Sequence, residues 1–453
     1  MSQEGEDMME RLTEPKIVVT PPGPRAKGII ERDSKALSQS LTRTSPLVGV
    51  ETEDVWVKDI DGNVYLDMGC GIAVTNVGHR HPEVIAAVKK QLDICDHVNS
   101  CDYYTLPQIE YAEKLFPLIP WKGQKRIFYA NSGTEAVECA IKLAKWHTKR
   151  YYFIGFIGGF HGRTMGALSF TTTSTSARKY FDPLMPGVYH TPYAYCYRCS
   201  FKQSYPDCGL WCLGFIEDVI MKKMVSPQEV AGILVESIQG AGGYIVPPNE
   251  FLPGLKKICE KNGILYIDDE VQSGFGRTGK MWACEHWGIE PDVICMSKAI
   301  ANGLPMGACV ARAEVMDWEG NAHENTLGGN PIVVSAAIAV LEIMKKQGLL
   351  ENATRVGKYL MKTLKELMAR HEIIGDVRGK GLMVGIELVK DRKTKVPATK
   401  ERDEIIDEAF KRGLLLLGAG PCSLRLAPPL TLTEGHVDKA IEIVEGVIKK
   451  VER

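Results

Sequence analysis

Between about residues 80 and 330 the chain alternates helical patterns (82–92, 106–118, 134–147) with short apolar runs (126–130, 232–236, 263–268, 292–296). A parallel pair of strands needs a crossover between them, and a helix in each crossover covers the face of the sheet it returns over. The alternation therefore predicts an α/β fold with a mainly parallel sheet flanked by helices on both faces. Beyond it, 331–347 reads as a long connecting helix. Amphipathic helices (351–371, 400–412) then mix with strand-like runs (382–389, 424–427), the pattern of a smaller α+β lobe. Residues 1–50 are polar, and Pro21-Pro22-Gly23-Pro24 marks extended chain, an arm lying across another surface. With 453 residues the chain exceeds what one core usually serves. The expected division is 1–75 as N-terminal arm and part of a small domain, 76–330 as a large ligand-binding domain, and 331–453 as the C-terminal small domain.

Two residues stand out against this frame. The apolar run ending Tyr266-Ile267-Asp268-Asp269 leads into Glu270-Val271-Gln272-Ser273-Gly274-Phe275-Gly276, a glycine-rich turn, so Asp269 falls at the rim of the sheet. The next apolar run, 292–296, delivers Lys298 to the same rim. In isolation the lysine reads as a solvated surface residue and the aspartate as a helix cap. Together they match a different chemistry: a carboxylate that keeps a pyridinium nitrogen protonated, and an amine that forms a Schiff base.

Further motifs fall in a fixed order: Gly71-Ile72-Ala73-Val74 and Gly78-His79-Arg80-His81-Pro82; Asn131-Ser132-Gly133-Thr134-Glu135-Ala136; Gly159-Phe160-His161-Gly162-Arg163-Thr164; Glu236-Ser237-Ile238-Gln239-Gly240; Thr326-Leu327-Gly328-Gly329-Asn330-Pro331; Leu424-Arg425-Leu426-Ala427-Pro428-Pro429. With Asp269 and Lys298 they resemble the class III, or ω-, aminotransferases of the pyridoxal 5′-phosphate (PLP) fold type I, from about residue 55 to the C-terminus. The resemblance implies a PLP-dependent aminotransferase similar to the 4-aminobutyrate and ornithine enzymes. Its large domain would hold the cofactor, and its small lobe would be built from N- and C-terminal segments.

Several roles follow from that resemblance. Gly133 and Thr134 open a helix after a strand, where backbone N–H groups can hold a phosphate; read alone, the same run is a capping box. Phe160 would stack on the pyridine ring, with His161 and Glu236 also at the cofactor. Gln272 would hydrogen-bond the phenolic oxygen, and Thr326 would reach the phosphate in the neighbouring subunit. The implied assembly is a homodimer or dimer of dimers with shared active sites. Arg425 has the planar fork that grips a carboxylate, and Arg163 resembles the arginine that meets the distal carboxylate of a dicarboxylic acceptor. Ile72 occupies a wall position where 4-aminobutyrate enzymes carry isoleucine and animal ornithine enzymes tyrosine.

One departure matters. Relatives often place a glutamate where this chain has Ala241 in Gln239-Gly240-Ala241-Gly242-Gly243, and that glutamate masks the arginine while an ω-amino substrate is bound. Without it, two reactions on one scaffold stay open. The leading one moves an amino group from an ω-amino acid to a 2-oxo acid, with 2-oxoglutarate as acceptor; the other is racemisation of an amino acid.

Charge excludes some partners. The net charge is −1, from 55 basic and 56 acidic residues, which leaves no field to gather nucleic acid or an anionic membrane. Residues 1–11 lack the apolar core of an export signal, and no stretch reaches the roughly 18 apolar residues of a membrane span. Small-molecule substrates and a cytoplasmic location are expected. Of the 13 cysteines most sit singly in apolar segments, but Cys196-Tyr197-Arg198-Cys199 and Cys208-Gly209-Leu210-Trp211-Cys212 have knuckle-like spacing. That spacing suits a structural zinc, two disulfides or free thiols. Transamination itself needs no metal, and none is expected among the site residues.

Overall fold

The computed structural model describes residues 12–452, so the reading of residues 1–11 lies outside the described residues. Seven strands form the central sheet: β1 Lys125–Ala130, β2 Tyr152–Ile157, β3 Val188–Pro192, β4 Val230–Val235, β5 Leu265–Asp269, β6 Val293–Met296 and β7 Gly307–Arg312. Their spatial order is β1-β7-β6-β5-β4-β2-β3. β7 runs antiparallel to both neighbours, and every other pairing is parallel. β4, β5 and β6 are buried at every residue, as strands covered on both faces must be.

Helices supply the cover. The helix Gly133–Thr148 directs Ala136, Val137, Ala140, Ile141 and Ala144 inward at helical spacing. Its start is fixed twice: Glu135 N–H donates to Ser132 Oγ (3.3 Å), and Glu135 Oε2 accepts from Asn131 N–H (2.7 Å). The helix Pro331–Lys346 packs on Pro82–Leu92 and Leu106–Leu115, and leads into Leu349–Arg370. Among the described residues no helix is long and apolar enough to cross a membrane.

Two further four-stranded sheets complete the structure. One joins Gly49–Glu53, Trp56–Asp59 and Val64–Asp67 to Leu414–Leu415, which pairs parallel with Val64–Asp67. The other is antiparallel, Ile374–Lys380, Met383–Leu388, Ser423–Leu426 and Leu417–Ala419 in that order. The helix Thr399–Phe410 packs with both, and Glu434–Val451 packs on Thr399–Phe410 and Leu349–Arg370.

The N-terminal segment differs from its extended reading. A helix, Pro24–Ala36, begins within the proline run, with Pro24 at the first helical position, where a missing N–H costs nothing. Its cap comes from Asp61, whose two oxygens accept from Arg25 N–H (2.9 Å) and Ala26 N–H (2.8 Å). A cap 36 residues away leaves no local signal.

Candidate active site

The parallel strands end at one edge of the sheet, and the singled-out residues follow those ends. Asp269 closes β5, Glu236 follows β4, Phe160 and His161 follow the turn after β2, the helix at Gly133 follows β1, and Lys298 comes two residues after β6. Asp269 pairs in register with Cys295, three residues before Lys298. This carboxyl edge is where α/β sheets bind ligands. Because β7 runs the other way, its first residue, Gly307, starts at the same edge opposite Ala130. A Cβ on Gly307 would lie 2.2 Å from the Ser132 carbonyl oxygen, so only glycine lets β7 pass under the Asn131-Ser132-Gly133 turn.

At the centre His161 Nδ1 donates to Asp269 Oδ2 at 2.7 Å, both side chains being almost wholly buried. Asp269 Oδ1 accepts from Val271 N–H at 3.0 Å. Burial works against a charged His161, yet the hydrogen bond and charge of Asp269, with Glu236 adding, raise it above the ordinary histidine value. Glu236 accepts from Phe160 N–H (2.9 Å) and Gly240 N–H (2.8 Å), and burial pushes its carboxyl up to about 7. Lys298, half-buried with φ +48°, is held below the ordinary lysine value by burial; Asp269 and Glu236 oppose this and Arg425 adds to it. An amine whose charged form is disfavoured by burial has the chemistry to act as a nucleophile and a proton carrier.

Around this centre several buried polar atoms have no protein partner: His161 Nε2, Gln272 Oε1 and Arg425 Nε. Buried polar atoms are ordinarily satisfied, so these mark places for a ligand to bond. Gln272 stands against Gly240, where a Cβ would come within 2.7 Å of its Nε2. Thr134 Oγ1 and Thr164 Oγ1 are 2.7 Å apart, and Thr164 in turn bonds Glu138, which also accepts from Ala167 N–H at 2.9 Å.

A cavity of about 550 Å³ is lined by Phe160, Arg163, Ala241 and Arg425, with Arg402 and Thr44 also on its wall. The Arg163 guanidinium lies 5.6 Å from the Phe160 ring centroid. Arg425 projects from the strand Ser423–Leu426. Ile72 and Thr326 do not line this cavity. Ile72 is 38% exposed with φ +69°, and Thr326 is exposed in a stretch tied down by Asn325 Nδ2 to Tyr129 O (2.8 Å) and Gln108 Nε2 to Gly329 O (2.9 Å). Arg402, Thr44, Thr164 and Glu138 escaped the sequence reading. Arg402 lies in an ordinary amphipathic helical pattern, and Thr44 in a polar arm. Thr164 and Glu138 close the Gly159–Thr164 and Asn131–Glu138 motifs, and neither residue type announces the hydrogen bond that joins them.

The family model described as "Aminotransferase class-III" matches residues 38–448. The chain is 40% identical to an alanine/serine racemase of Pyrococcus horikoshii over 97% of this chain and 94% of that protein. It is 36% identical to a 4-aminobutyrate aminotransferase of Mycobacterium tuberculosis, over 96% and 98%. Among solved structures, a PLP-bound amine transaminase from an uncultivated Pseudomonas species superposes with a TM-score of 0.85 at 31% identity, covering 92% of this chain and 97% of that one. With that sheet order and that carboxyl edge, the chain belongs to the class III aminotransferases, PLP-dependent transaminases of the fold type I α/β architecture.

Proposed function

We propose that this chain moves the amino group of an ω-amino acid, 4-aminobutyrate or ornithine, to 2-oxoglutarate. The observation that carries the reading is that Arg163 and Arg425 share one cavity of about 550 Å³, while Arg402 on the same wall is already engaged by Asp403 and the Gly420 carbonyl. Two such forks on a single cavity fit the two carboxylates of a dicarboxylic acceptor.

The residues at the carboxyl edge fit PLP by their unsatisfied atoms and their chemistry. The N–H groups at Gly133 and Thr134 would hold the phosphate, Phe160 the ring face, and Gln272 the phenolic oxygen. Asp269, positioned by His161, would hold the ring nitrogen in its protonated form. Glu236 fixes the backbones of Phe160 and Gly240 through its two carboxylate oxygens. When bound, PLP supplies the electron sink that makes the substrate's amino-bearing carbon acidic. Lys298 would be the group that takes up and hands back the proton of that carbon, a task that its burial-lowered pKa suits.

Thr326 belongs to this scheme only in a homodimer, where it would reach the partner copy's phosphate. Tyr103, Tyr104 and Leu327, respectively 66%, 100% and 55% exposed, support burial of this face by a second copy. Sedimentation would read a dimer; a monomer with full activity would remove the role of Thr326.

Racemisation is the second reading, and a specific observation favours it. Ala241 offers no carboxylate to Arg425, so an α-amino acid can keep its α-carboxylate on Arg425 throughout the reaction. The visible spectrum of the PLP-loaded protein, with one amino acid added and no oxo acid, separates the two. Stoichiometric conversion to pyridoxamine phosphate by 4-aminobutyrate or L-ornithine supports transamination from that donor. A persisting cofactor band with accumulation of D-amino acid supports the racemase.

A further inference from the structure

The transamination site leaves one motif unused: Cys196, Cys199, Cys208 and Cys212. They fall in a stretch with little regular structure. A 3-10 turn at Cys196–Arg198 is followed by turns with left-handed Lys202, Gly209 and Leu210, and then the short helix Trp211–Phe215. All four thiols are free and all four line one cavity of about 20 Å³.

We propose that these four cysteines bind one zinc ion as a tetrahedral thiolate site, structural rather than catalytic. Paired ligands with two and three residues between them have the spacing of such knuckles. The cavity has room for about one ion and none for a multi-iron cluster. Its other lining side chains include Tyr193, Tyr195, Phe201, Tyr205 and Trp211, which leave an apolar wall around the four thiols. Among the described residues the donors already within 4.8 Å of one another are Asp268, Glu270 and Cys284, whose oxygens are engaged by Ser237, Ser273 and Cys284 N–H. The four sulfurs are not yet that close, so coordination would draw the Cys196–Cys199 and Cys208–Cys212 turns together around the ion. Binding is Zn²⁺ plus four thiols giving a four-thiolate dianion and four protons to solvent. It needs no oxidant, whereas two disulfides would require removal of four electrons.

The site would clamp a segment that braces the active site from behind. Tyr193 donates to the Glu236 and Ser237 carbonyls, both at 3.1 Å. Arg198 and Tyr195 bond Glu387, which Arg378 also engages at 2.6 Å. Arg378 then donates to the Gly243 carbonyl at 2.6 Å, two residues from Ala241.

The test uses the whole holoenzyme, purified without chelator. Elemental analysis should give one zinc per chain. Exchange for cobalt should produce an intense thiolate-to-cobalt charge-transfer band with tetrahedral d–d bands. The double variant Cys199→Ser/Cys212→Ser should lose the zinc and inactivate faster on heating, while keeping its PLP absorbance at low temperature. Because the metal count and cobalt spectrum are read on the unaltered protein, misfolding of the variant does not blunt the test. Absence of stoichiometric zinc with four rapidly titrating thiols, a mass four hydrogens short, or iron with visible cluster absorbance would each overturn the proposal.

Discussion

Replacing Gly307 with alanine tests how the phosphate turn is seated. The added Cβ would lie 2.2 Å from the Ser132 carbonyl oxygen and 2.7 Å from its carbonyl carbon, whereas ordinary contact begins near 3.4 Å. The gap must open by 1.2 Å (3.4 less 2.2), and both contacts are backbone, so no side-chain rotation relieves them. β7 is clamped on both sides by β1 and β6, so the displacement falls on the turn that carries Gly133 and Thr134. Overpacking of this kind costs about 1–3 kcal/mol in stability. A misplacement of about 1 Å costs about 10²-fold in rate. We expect Gly307→Ala to lower PLP affinity, read as cofactor retained after dialysis, and to reduce kcat/KM about a hundredfold. Gly320→Ala, where a Cβ would meet nothing within 4 Å, is the control and should change neither. Retention of cofactor and rate by Gly307→Ala within a factor of two would refute the argument that backbone approach at this point sets the phosphate grip.

Ala241→Glu should place a carboxylate on the cavity wall that Arg425 shares; a charge-assisted pair worth about 1.5–3 kcal/mol predicts a KM for 2-oxoglutarate raised about 10- to 100-fold, measured by steady-state kinetics. An unchanged KM would mean Arg425 does not hold the acceptor. Burial favours neutral Lys298, so the rate of PLP reconstitution should rise with pH and level off below 10.5, the ordinary lysine value; a plateau at or above that value would contradict the burial argument. Asp269→Asn removes one of the charges opposing that shift and should move the plateau lower still. Arg378→Met leaves Glu387, 1% exposed, short of one cation and frees the Gly243 carbonyl, so a loss of about 3–5 kcal/mol is expected in thermal or denaturant unfolding.

What the sequence made legible was local. The helix at 82–92 has its proline at the first position and coincides with Pro82–Leu92. Asp269 and Lys298 could be placed at a rim because each comes at or just after the end of a mainly apolar run, and those runs are β5 and β6. The direction of β7 was not legible, since Gly307-Ala308-Cys309-Val310-Ala311 reads alike either way along a buried sheet. The cap on Pro24–Ala36 was hidden because Asp61 arrives from another strand connection. Arg402 reaches the cavity through the turn of its helix, a property of packing that no residue type announces. The positions of Ile72 and Thr326 away from the cavity likewise follow from tertiary path, which a motif match does not carry.

The pairing of Leu414 with Leu66 spans 348 residues (414 less 66). A chain made from its N-terminus cannot close that sheet until nearly all of it has been synthesised, although β1 to β7 are complete by residue 312 and the covering helix Pro331–Lys346 by residue 346. During translation, the cofactor platform is therefore ready before the lobe that carries Arg425. A growing chain of this kind can meet PLP early and its substrates only at the end, so a truncation a few dozen residues short should still take up cofactor yet have no grip on a carboxylate.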